Sequence, residues 1–171
     1  FWMDDRRPGA MSERDPCSEE LSDVVRAFSQ RGTVEPGLDV TEDALIQLRK
    51  ACRILDGIGA LRDIDRHHTL VVEGSFAAIE RSVQFYAVDA GAVESNEIRD
   101  HNETFGLGAE AGLFTANTAD ELIGLWETYR NGLYYQQRRA TAEQADAMLT
   151  YARCLHEHAT ALAGRRHDCI C

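Results

Sequence analysis

Residues 129 to 139 read Tyr129-Arg130-Asn131-Gly132-Leu133-Tyr134-Tyr135-Gln136-Gln137-Arg138-Arg139, a dense run of groups suited to a charged ligand. A guanidinium at Arg130 can grip a phosphate through a planar pair of N–H donors. Asn131 offers an amide beside it, and Tyr134 and Tyr135 offer rings on which bases stack. Arg138 and Arg139 add two further cations. A plainer reading pairs Arg130 with Glu127 and lets the tyrosines finish a core, and the residues alone leave both open.

A second constellation lies near the C-terminal end. Cys154 and His158 stand four apart on the side of a helix away from its Leu155–Ala159–Leu162 stripe, and His167, Cys169 and Cys171 follow. Thiolate and imidazole groups at such spacing suit tetrahedral zinc. The Cys-x2-Cys knuckles of strong zinc motifs are missing, so the sequence reading assigns no metal and no cofactor, and treats the thiols as incidental. His67-His68, beside Asp63 and Asp65, is a weaker candidate still. Cys17, Cys52, Cys154, Cys169 and Cys171 make an odd set, which speaks against a disulfide framework. The sequence contains no Glu-x-x-His pair of the di-iron bundles, no phosphate-binding Walker loop, no Gly-x-Gly-x-x-Gly and no Gly-x-Ser-x-Gly.

The elements that must position these groups read as helices throughout. Leu21, Val24, Val25 and Phe28 share one face, with Gly32 as a stop. Asp39 with Glu42 forms a candidate capping box ahead of Ala44, Leu45, Leu48, Cys52, Leu55, Ile58 and Leu61. Gly57 and Gly59 either loosen that helix or admit a close neighbour. Val72, Phe76, Ile79, Val83, Tyr86 and Ala90 keep a four-three spacing, the pattern of a central bundle helix. A weaker helix over 95–111 carries Ile98, His101, Phe105 and Ala109 inward. Thr118 and Glu121 then form a candidate capping box before Leu122, Trp126, Tyr129 and Leu133. Thr141 with Gln144 opens a long last helix that Gly164 closes. No segment sustains period-two alternation. The expected fold is all-α, an up-and-down helical bundle of five or six helices over residues 17–164. Residues 1–16 are expected as a poorly ordered arm or tag, and 165–171 as a flexible Cys/His tail.

Composition narrows the setting. At 171 residues and 44% hydrophobic content the chain can bury a core, and no apolar run approaches bilayer length. No charged-apolar-small leader opens it, so the expectation is cytoplasmic. Acidic residues number 29 against 18 basic ones, and Lys50 is the single lysine. That balance suits a halophile, whose acidic surfaces stay hydrated in concentrated salt; an acidic mesophilic protein is the other reading. A net charge of −11 normally argues against nucleic acid, but in molar salt the counterion-release term has largely vanished.

The order of these features carries a resemblance. A penultimate helix ending in Arg130-Asn131, a short turn, and an Ala-rich last helix opening Thr141-x-x-Gln144 resembles the HEPN family. These are helical bundles of toxin–antitoxin and RNA-defence systems. The run from Glu73 to Arg81 is similar to that family's second bundle helix, and Asp100-His101 to its polar-histidine position. The resemblance covers roughly residues 41–162. It implies a HEPN-like homodimer and metal-independent ribonuclease chemistry, with Arg130 and Asn131 at the phosphate. The family's motif histidine is replaced here: Tyr135, Gln136 and Gln137 occupy its possible positions, and tyrosine is a poor base at neutral pH. Tyr135 therefore joins Arg130 and Asn131 as the candidate catalytic set. Tyr134, Arg138, Arg139 and His101 are candidate binding residues. His101 either restores a base to the cleft or serves the core. The resemblance also implies RNA and a nucleotidyltransferase-type antitoxin as partners. A non-catalytic dimerisation or partner-binding module is the alternative.

Overall fold

The computed structural model describes residues 17–29, 32, 35–98, 101–130, 132 and 138–171. Six α-helices and no strands occur among the described residues, so the all-α bundle expected from periodicity is the fold. Residues 1–34 and 35–171 form separate units. The first contains α1 (Ser18–Ser29), whose Leu21, Val24, Val25 and Phe28 are exposed. No described helix is long and apolar enough to cross a membrane.

The second unit holds α2 (Asp43–Asp63), α3 (His68–Asp89), α4 (His101–Glu110), α5 (Ala116–Leu125) and α6 (Ala142–Leu162). α3 is the central element and packs against α2, α4 and α6. Of the predicted core line, Val72, Phe76, Ile79 and Val83 are at most 1% exposed, whereas Tyr86 is half-buried and Ala90, past the end of α3, is exposed. Val71, Ala78, Phe85 and Ala87 are as deeply buried, so α3 is enclosed on more than one face. Helices joined by the short 64–67 connection lie alongside each other, and α6 closes the third side.

Helix starts follow local hydrogen-bonding chemistry, with three corrections. The Thr141–Gln144 capping box forms in both directions, as the sequence predicts. α5, however, is capped by Thr115, which accepts from the Thr118 N–H at 3.2 Å, so the expected Thr118–Glu121 box lies one turn inside the helix. α2 starts after Glu42 with no side-chain cap, because Glu42 is drawn instead to Arg165, 2.9 Å away. α4 begins at His101 rather than near residue 95. α5 passes into a π-helical turn over Trp126–Arg130, the kind of irregularity that re-aims side chains at a helix end.

The α2–α3 contact depends on a missing side chain. A Cβ at Gly74 would collide with Ile58 of α2, so only glycine permits this approach. At Gly57 a Cβ would meet nothing within 4 Å. Gly74→Ala is expected to lower stability by about 1–3 kcal/mol through overpacking. Gly57→Ala is expected to raise it by about 0.5–1 kcal/mol through helix propensity. Equilibrium denaturation of both variants checks the contact; equal effects would place the glycines wrongly.

Candidate metal centre

Three separated stretches of chain deliver thiols and an imidazole to one point. Cys52 comes from the buried face of α2, His156 from α6, and Cys169 and Cys171 from the segment that follows α6. Cys52 Sγ lies 3.4 Å from His156 Nε2 and 3.5 Å from Cys169 Sγ. Nε2 lies 3.3 Å from Cys169 Sγ and 3.4 Å from Cys171 Sγ, and the two tail sulfurs are 3.7 Å apart. All four donor atoms fall within 4.8 Å of one another. A zinc ion with ordinary bond lengths would hold tetrahedral S···S edges of about 3.8 Å and S···N edges of about 3.6 Å. The observed separations are close to these, and the five cysteines are free thiols. Three soft sulfurs and one imidazole nitrogen are a donor set that selects Zn²⁺ over hard, oxygen-seeking cations.

The imidazole is set for ligation by its other nitrogen. His156 is 3% exposed, and its Nδ1 sits 3.0 Å from Ser82 Oγ. The Ser82 hydroxyl donates its one proton to the Ala78 carbonyl at 2.8 Å. Ser82 Oγ is therefore left as acceptor, and Nδ1–H must be the donor. That choice leaves Nε2 with a lone pair facing the sulfurs, the tautomer that metal ligation needs.

The thiols divide unequally. A hydrogen bond from the Cys171 thiol, against the opposing effect of burial, holds the Cys52 thiol below its ordinary value. Cys171 is correspondingly pushed up by sharing its proton with Cys52, and Cys169 is pushed up by burial. One thiolate is ready, and a cation must displace the remaining thiol protons. A recess of about 290 Å³, lined in part by Asp56, Arg153 and Glu157, leads from solvent to Cys169 and Cys171 and supplies a path for entry.

The segment bearing the two tail cysteines is tied down on its own account. Gly164, at φ +71°, ends α6 and turns the chain back. Arg165 then bonds Asp89 of α3 at 3.1 Å, Glu42 at 2.9 Å and Asp168 at 3.5 Å. A short 3₁₀ turn over Arg166–Asp168 follows, and Ile170 lies against Gly37.

The structure groups the residues singled out in the sequence differently. Cys169 and Cys171 are in the cluster, but their partners are Cys52 and His156, not Cys154 and His158. Cys154 is exposed, and His158 donates to the Leu113 carbonyl at 3.1 Å. His167 projects into solvent beside Asp168. His101 heads α4 with its side chain 56% exposed, so it is not a core histidine. Its Nδ1 lies 2.7 Å from a carboxylate oxygen of buried Glu80, and its ring is 4.7 Å from that of Trp126. Arg130 ends the π-helical turn. Asn131, Tyr134 and Tyr135 lie outside the described residues. Arg138 and Arg139 are exposed and border a recess of about 420 Å³ with Tyr129, Gly132 and Thr141.

The described residues form a helical bundle in which four candidate ligand groups lie together. Residues 12–171 match the profile of a family described as Domain of unknown function (DUF8154), and the chain belongs to that family. No curated protein and no solved structure matches the chain.

Ser82→Ala is expected to weaken zinc binding about 10- to 100-fold by releasing the imidazole from its tautomer. Cys154→Ser is expected to leave it unchanged. Competition against a chromogenic chelator measures both, and a loss on Cys154→Ser would contradict the ligand assignment.

Proposed function

We propose that this protein is a zinc-stapled helical module, non-catalytic at its metal, that presents a fixed surface to a partner. The observation carrying this reading is the convergence of Cys52, His156, Cys169 and Cys171 at tetrahedral spacing around an imidazole already held in the ligating tautomer. Four protein donors would fill the coordination of Zn²⁺ and leave no position for substrate or water, the pattern of structural rather than catalytic sites. Bound there, the ion joins α2, α6 and the segment after α6, whose separation in sequence makes the closure worth most to stability.

Stripping zinc from the full chain with a strong chelator is therefore expected to lower Tm and to expose Arg165 and Arg166 to trypsin. Readdition of one equivalent of zinc is expected to reverse both. A protein whose Tm and cleavage pattern are indifferent to zinc would refute the module as described.

A second reading keeps the HEPN-like, RNA-associated function, as a cytoplasmic homodimer of a halophile working with RNA and a nucleotidyltransferase-type antitoxin. It is favoured by the recess at Arg138 and Arg139, because neither guanidinium is in a salt bridge among the described residues of a strongly acidic chain. The exposed imidazole of His101, oriented by buried Glu80, is the arrangement of a general base and supports the same reading. Metal-free incubation of an RNA pool in molar potassium chloride tests it. Cleavage to cyclic phosphate ends that disappears in Arg130→Ala and His101→Ala is its expected result. Intact RNA with native protein removes the ribonuclease.

A further inference from the structure

The face of the bundle between α5 and α6 carries a groove of about 510 Å³ whose walls include Phe76, Leu122, Leu125, Met148 and Tyr151. Its volume is that of a small-molecule site, within the usual range of roughly 300–1,000 Å³. Tyr129 and Gln144 line this groove and also line the recess that holds Arg138 and Arg139, so the two cavities meet at those side chains. The groove is mostly apolar with Glu121 on its wall, and the recess that adjoins it carries the two arginines.

Several polar groups along the apolar part are engaged by neighbours. Thr118 bonds Thr115, Glu121 accepts from the Asn117 amide at 3.1 Å, and the Gln144 amide oxygen accepts from the Thr141 N–H. Glu121 places negative charge at the wall remote from the arginines, which sets the direction in which an anion can lie. At the cationic end the two guanidinium groups have no salt-bridge partner among the described residues, and the first turn of α6 adds the positive end of its dipole.

We propose that this channel binds a single-chain amphipathic anion, with its alkyl chain in the apolar groove and its phosphate or carboxylate head at Arg138 and Arg139. The site is independent of the metal centre, which lies on other residues of α6 and on α2. The separation of an apolar body from a cationic end is what selects this class. A neutral lipid would leave the arginines unused, and a free phosphate would leave the groove in water.

Calorimetric titration of the full chain with dodecyl phosphate, dodecanoate, dodecanol and inorganic phosphate, below micelle formation, tests the assignment. The two alkyl anions are expected to bind at one per chain, and dodecanol about tenfold or more weakly for want of the charged head. The double variant Arg138→Ala/Arg139→Ala, exposed and outside the core, is expected to bring the alkyl anions down to the affinity of dodecanol. Met148→Trp is expected to block all three alkyl probes by filling the groove. Equal affinity of dodecanol and dodecyl phosphate for native protein would overturn the proposal, as would the absence of saturable binding by either alkyl anion. Saturable binding of a short RNA with no response to alkyl anions would overturn it in favour of nucleic acid at the arginines.

Discussion

A buried imidazole has two nitrogens, and each must be satisfied. In this bundle Nδ1 of His156 meets Ser82, whose hydroxyl proton is already given to the Ala78 carbonyl, so the histidine must donate there. Nε2 then turns a lone pair toward three sulfurs in the low-dielectric space between α2 and α6. Thiols are weak donors, and the group of four is better satisfied by a divalent soft cation than by its own protons. The hydrogen bond from α6 to α3 thus aligns the imidazole with the thiol of α2. The position of the segment after α6 follows from the same requirement.

That segment touches several elements at once. Arg165 reaches the end of α3 and the start of α2, Ile170 covers Gly37, and the Arg49 side chain donates to the Gly37 carbonyl at 2.8 Å. A metal at the cluster would therefore fix more than two residues. It would lock the entry to α2 against the exit from α6, so loss of the ion should loosen one end of the bundle. The stretch where α5 gives way to a π-helical turn has no such tie among the described residues and borders the open groove. The two sites divide the molecule into an end that is closed by ligation and a side that is left able to receive a ligand.

The fold was legible because the core obeys simple periodicity. The four-three line of α3 from Val72 to Val83 and the Thr141–Gln144 box stand in the sequence as they do in the molecule. The caps of α2 and α5 were misplaced because short polar residues cluster there, and tertiary pairing decided between them: Glu42 turned to Arg165, and Thr115 lay one turn before Thr118. The metal centre was only half legible. Cys169 and Cys171 were visible as ligand types, but their partners were sought at helical spacing on the solvent side. The usable signal was different: Ala145, Leu149, Ala152, His156 and Ala159 form a four-three core line with one histidine in it, and Cys52 holds a core position of α2. A polar ligand type inside an apolar line needs a buried partner, and the pairing of two such lines was knowable only from the packing. The Arg130–Tyr135 run held attention because its chemistry is local and visible; most of it lies outside the described residues.

Anaerobic titration of the metal-free full chain with Co²⁺, followed by visible and near-ultraviolet absorption, tests the central claim most directly. The account predicts saturation at one equivalent, intense d–d bands of a tetrahedral ion, and sulfur-to-cobalt charge transfer sized for three thiolates. Zinc should displace the cobalt, and Cys52→Ser should remove one thiolate's share of the charge transfer. An octahedral spectrum, or no saturable absorption at all, would contradict the centre assigned to Cys52, His156, Cys169 and Cys171.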